Sequence, residues 1–132
     1  MNHGSAILAL LGRVLLASIF VYSGFGKITG FQGSVDYIAS AGLPMPQVLA
    51  VVSIIVEFIG GLALLIGFRA RWAALVFVVF LIIITPIFHN FWSAPPADAM
   101  SQQINFIKNI AIIGGMLMVM AFGPGHYSVD KD

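Results

Sequence analysis

Four stretches of the chain, residues 6–26, 47–67, 72–90 and 104–123, are apolar almost without interruption. Each is close to the roughly 20 residues a helix needs to cross a hydrocarbon core. Barrel strands alternate apolar and polar positions, and these runs do not. The pattern predicts an all-α membrane protein, an antiparallel bundle of four transmembrane helices in one domain over residues 1–132. The punctuation agrees. Pro44 and Pro46 precede the second span, and Arg69 and Arg71 separate the second from the third. Pro95 and Pro96 precede the fourth, and Gly123-Pro124-Gly125 ends it. The first span lacks a Lys/Arg-rich start and a small-residue cleavage site, so it is expected to be retained rather than removed as a signal peptide.

The connections carry their own patterns. Phe31, Val35, Ile38 and Ala39 recur at helical spacing between the first two spans, with Asp36 and Ser40 on other faces. This predicts a short amphipathic helix lying on the outer membrane interface. Residues 93–103 are rich in Ala, Pro and Ser and read as a mobile loop. Thr85-Pro86 is expected to kink the third span, because proline removes a backbone donor.

Composition sharpens the class. The chain is 60% hydrophobic and 8% charged, with mean hydropathy +1.03. A soluble domain of this size carries about 25% charged residues and could not bury so much apolar surface. The lipid bilayer is therefore the first partner. A net charge of +1 without a basic cluster argues against nucleic acid. There is no cysteine, which excludes thiol redox chemistry, thiolate metal sites and iron–sulfur clusters carried on this chain. No metal site is expected. Arg69, Arg71 and Lys131 fall on one side of the bundle, while Lys27 on the other is offset by acids. The positive-inside rule then places both termini in the cytoplasm.

Ionisable groups within the spans cost several kcal/mol, about 2.5–3.5 at mid-helix, so their positions are informative. Arg13, Ala17, Phe20, Gly24 and Lys27 share one helical face, as do Ser53, Glu57, Gly60, Leu64 and Gly67, and Asn105, Lys108, Asn109, Ile112 and Gly115. Mixed small and polar stripes of this kind mark helix–helix contacts in lipid. Glu57 is the one acid deep in a span. At about 1.5 Å per residue, Arg13 lies about 5 Å from it in depth and Lys108 about 9 Å on the other side. The expectation is a structural ion network of Arg13, Glu57 and Lys108, with Lys27 snorkelling at the span end. Glu57 and His89 are candidate proton-handling groups, and His89, Lys108, Asn109 and Glu57 candidate ligand-binding groups.

These residues resemble the DoxX family of small four-helix bacterial membrane proteins. Arg13 followed by Phe20-Val21-Tyr22-Ser23-Gly24-Phe25-Gly26-Lys27 is similar to its opening block. Gly42-Leu43-Pro44, Glu57-Phe58-Ile59-Gly60-Gly61 and Gly67-Phe68-Arg69-Ala70-Arg71 are similar to its middle blocks. His89, Lys108-Asn109 and Gly123-Pro124-Gly125 with Ser128-Val129-Asp130 continue the pattern. The resemblance implies four helices in the bacterial inner membrane. Some relatives are subunits of a thiosulfate:quinone oxidoreductase, and others belong to membrane complexes that handle oxidative stress. It implies a quinone-interacting or oxidoreductase-associated subunit, with quinone as the ligand and a membrane oxidoreductase as partner. The residues alone leave two alternatives: a non-catalytic scaffold for a partner enzyme, or a small proton-coupled transporter or channel working as a homo-oligomer.

Overall fold

The computed structural model describes residues 1–130. Every regular element among the described residues is a helix, and four helices are long and apolar enough to cross a membrane. We number the helices α1 (His3–Thr29), α2 (Phe31–Ser40), α3 (Pro46–Ile66), α4 (Ala70–Phe88) and α5 (Pro96–Phe122). α1, α3, α4 and α5 are the four spans.

Each helix begins and ends where its sequence dictates. The Asn2 side chain caps α1 by accepting from the Ser5 amide at 2.7 Å. Pro46 and Pro96 stand at the first helical positions of α3 and α5, where a missing amide proton costs nothing. Gly67, at φ +75°, takes the left-handed turn that stops α3. α4 continues through Pro86 and ends two residues later, with the His89 amide donating to the Thr85 carbonyl.

α4 is the most enclosed span. Ala70, Ala74, Phe77, Val78 and Leu81 form a core with Ala17 and Phe20 of α1, Leu64 of α3 and Met116 of α5. Large apolar residues such as Leu8, Leu15, Ile82 and Met118 point outward. Lipid, as apolar as these side chains, does not squeeze the helices together, so small residues and close packing do. A Cβ on Gly24 would fall 2.7–2.9 Å from the backbone of Phe58, and one on Gly61 would meet Val21 at 3.0 Å. These two glycines set the register of α1 against α3.

Two elements differ from expectation. α5 begins at Pro96, so the stretch read as a mobile loop is mostly helix. Hydropathy reports contact with lipid, whereas helix formation continues through polar residues beyond it. α2 forms as expected, but Val35 and Ile38 pack against Ala50 of α3, with Phe88 of α4 alongside, while Ala39 is exposed. Its apolar face therefore lies on protein rather than lipid. The reason is the α1–α3 register, which ends α1 well short of the start of α3 and leaves space that α2 fills.

Candidate functional site

The two ends of the bundle differ. At one, the starts of α1 and α4 and the ends of α3 and α5 meet, leaving helix-terminal carbonyls and amides without intrahelical partners. Segment 123–130 folds across this end and satisfies them. The amides of Val129 and Asp130 donate to the carbonyls of Ile66 and Gly67, each at 3.0 Å. The Asp130 carboxylate accepts from the amides of Arg69 at 2.7 Å and Ala70 at 2.9 Å, capping α4. Arg71 donates to the carbonyls of Met120 at 3.0 Å and Ala121 at 3.4 Å, closing α5.

Arg13 belongs to this closed end. Its Nε donates to the Leu65 carbonyl at 3.2 Å, Nη1 to Pro124 at 2.6 Å and Nη2 to Tyr127 at 2.8 Å. The expected pairing of Arg13 with Glu57 is therefore corrected. The glycine contacts place Arg13 level with the turn at 67–69, about 18 Å along the bundle from Glu57. Gly67 tolerates no side chain there, since a Cβ would collide with Ser128 and approach the Arg13 guanidinium to 3.4 Å. Lys131, used to orient the chain, lies outside the described residues.

Glu57 sits at the middle of α3, inside a single π-helical turn, Ile55–Ile59. Such turns widen a helix locally and recur at functional sites. Glu57 is 5% exposed, and both its carboxylate oxygens accept from Lys27 Nζ, at 2.7 and 3.0 Å. Lys27 also donates to Ser23 Oγ at 3.1 Å, one turn back on α1. Lys27, expected to snorkel outward, instead turns inward to the acid. Residue spacing did place Lys27 on the inward stripe of α1, and that was the available signal.

The ion pair forms part of the wall of a cavity of about 480 Å³ bounded by all five helices. His89, Lys108 and Asn109 line the same cavity. His89 Nδ1 is 2.8 Å from Gln102 Oε1, and Asn109 donates to Thr85 Oγ1 at 3.1 Å. Lys108 makes no ion pair among the described residues, so the expected network of Arg13, Glu57 and Lys108 does not form as a unit. The remaining lining is largely apolar, including Ile19, Phe20, Phe80, Leu81, Ile84 and Phe88. Ser23, Ser34 and Ser53 join the polar part, and they and Gln102 had not been singled out from the sequence as site residues. With Gln102 Oε1 as acceptor, neutral His89 carries its proton on Nδ1 and keeps Nε2 as the basic nitrogen.

The chain has relatives along nearly its whole length. It is 34% identical over 125 residues to the inner membrane protein YphA of Escherichia coli K12, spanning 95% of this chain and 89% of that one. It is 37% identical over 125 residues to the Escherichia coli inner membrane protein YqjF, spanning 92% and 88%. CatD of Bacillus subtilis, named as a proposed oxidoreductase, is 34% identical over 82 residues, 62% of this chain and 60% of CatD. No solved structure matches. Residues 8–90 match the DoxX family model, covering the opening and middle blocks and the helices that carry Lys27, Glu57 and His89. The chain belongs to the DoxX family.

Proposed function

We propose that this protein is a quinone-interacting subunit of the bacterial inner membrane, with both termini cytoplasmic, that serves a membrane-associated oxidoreductase. One observation carries the reading. Glu57, His89, Lys108 and Asn109, drawn from three helices, line a single mostly apolar cavity of about 480 Å³. Ligand pockets of about 300–1,000 Å³ with a few convergent polar groups suit a small organic headgroup.

The roles follow from the contacts. Lys108, without an acid partner, donates a hydrogen bond to a quinone carbonyl. His89 Nε2 accepts a proton from the quinol hydroxyl, because Nδ1 is committed to Gln102. Glu57, held by Lys27, is the acid–base group behind them. Interconversion of quinol and quinone moves two electrons and two protons. His89 takes up a proton as the quinol is oxidised and returns it as the quinone is reduced, and the partner takes or gives the electrons. The inner-membrane naming of YphA and YqjF and the naming of CatD support this setting.

The test is binding of a ubiquinone analogue to protein purified in lipid nanodiscs. Glu57→Gln and His89→Ala should each weaken binding at least tenfold. Unchanged affinity in both variants overturns the reading.

A further inference from the structure

The cavity is not closed on every side. Gly26 of α1 and Gly33 of α2 line it and are exposed, and a Cβ built on either meets nothing within 4 Å. Across from them, Lys108 of α5 also lines the cavity and is exposed. Nearer the closed end, α1 meets α5 where Leu16 packs on Gly115, and the two helices share little else. The opening is thus a lateral one, between the α1–α2 junction and α5. Lys108 stands only about 6 Å inside the apolar run of α5, so the mouth lies within the thickness of the hydrocarbon layer. The Lys27–Glu57 pair and Asn109 are within, and the rim carries the bare backbone of Gly26 and Gly33 with the exposed Lys108 opposite.

We propose that the cavity takes its ligand sideways from the bilayer, and that Gly26 and Gly33 keep the mouth open for the alkyl or isoprenoid tail. A polar interior joined to a mouth at hydrocarbon depth is the complement of an amphiphile, headgroup inward and chain in lipid. The inference deepens the quinone reading, on which the identity of the headgroup rests. The two glycines are helical and face open space, so leucine enters at either without displacing a neighbour. Its side chain would occupy the mouth.

The experiment places the full chain in bilayers that contain a lipid with a photoreactive diazirine on its acyl chain. Labelled residues are mapped by peptide mass spectrometry. Label should appear on Ile84, which lines the cavity, and on lipid-facing Ile82 as a control. Gly26→Leu and Gly33→Leu should each reduce labelling of Ile84 at least fivefold and leave that of Ile82 unchanged. An unlabelled Ile84 in the native protein, or labelling of it that both variants leave at the native level, overturns the lateral mouth. Binding of a tailless benzoquinone, measured in parallel, tests the headgroup separately. Its failure beside intact, leucine-sensitive labelling removes the quinone and leaves the lateral mouth supported.

Discussion

At the closed end, every nitrogen of the Arg13 guanidinium donates to a backbone carbonyl, and no carboxylate ion-pairs with it among the described residues. Midway along the bundle, Glu57 meets Lys27, and that pair borders a cavity. Both are charged groups placed inside apolar helices, and they serve different ends. Arg13 ties the end of α3 to segment 123–130 through all three of its nitrogens, and it does not line the cavity. Lys27 and Glu57 neutralise each other while remaining on the wall of a space that a ligand can enter. A charge in a membrane span is thus not by itself a sign of function; what surrounds it decides.

The largest effect should come from breaking the first arrangement. Arg13→Leu removes three charge-assisted hydrogen bonds and strands the carbonyls of Leu65, Pro124 and Tyr127. The expected loss is about 3 kcal/mol of folding stability, since a bond to a charged group contributes roughly 1.5–3 and such terms do not add fully. Arg13→Lys should recover less than half, because the donors of an ammonium radiate from one nitrogen and cannot match three carbonyls set around a planar guanidinium. Denaturation of the protein in detergent micelles measures both. Ligand affinity of the molecules that remain folded should not change. A stable Arg13→Leu protein with altered ligand binding would reverse the roles assigned to the two regions.

Breaking the second arrangement should cost less, and unevenly. Lys27→Met leaves Glu57 without its cation in a protein interior, for a loss of about 2 kcal/mol, below the roughly 3–5 of a fully buried pair because Lys27 is 28% exposed. Glu57→Gln strands Lys27 less severely, because that side chain is 28% exposed and its ammonium can turn toward the cavity. The double variant should be more stable than Lys27→Met alone, since uncharged side chains replace both members of the pair. The cycle isolates the coupling between them. Additive losses would mean that the pair does not act as a unit.

The difference between the two charged regions was only half legible in the sequence. The inward stripe of α1 was readable: Arg13, Ala17, Phe20 and Gly24 are all buried, at the spacing a helix requires. So was the singular position of Glu57. What the sequence did not reveal was how far α1 slides along α3. Gly24 against Phe58 and Gly61 against Val21 decide that slide. It moves Arg13 away from Glu57 and brings Lys27 to it. The π turn around Glu57 leaves no mark in a 3.6-residue pattern. The docking of segment 123–130 was also hidden, because much of it runs through backbone amides and carbonyls that every sequence possesses. Glu57, His89, Lys108 and Asn109 were legible as one set of candidate ligand-binding groups, whereas the shape of the cavity they line depends on packing among the helices.

The smallest effect is expected at the cap of α4. Asp130 accepts from two amides at the start of that helix, and no lysine or arginine ion-pairs with it among the described residues. Asp130→Ala should cost about 1 kcal/mol, the usual value of a lost helix cap. Asp130→Asn should retain part of that, since its side-chain carbonyl still accepts from one amide. The Asp130 amide itself continues to hold Gly67 in either variant. The comparison with Arg13 is therefore sharp: two residues bind the same segment to the same end, one through three carbonyls in the apolar interior, the other through two amides near its surface. If Asp130→Ala destabilised the protein as much as Arg13→Leu, segment 123–130 would be acting as one cooperative strap, and the larger effect of Arg13 could not be assigned to its burial.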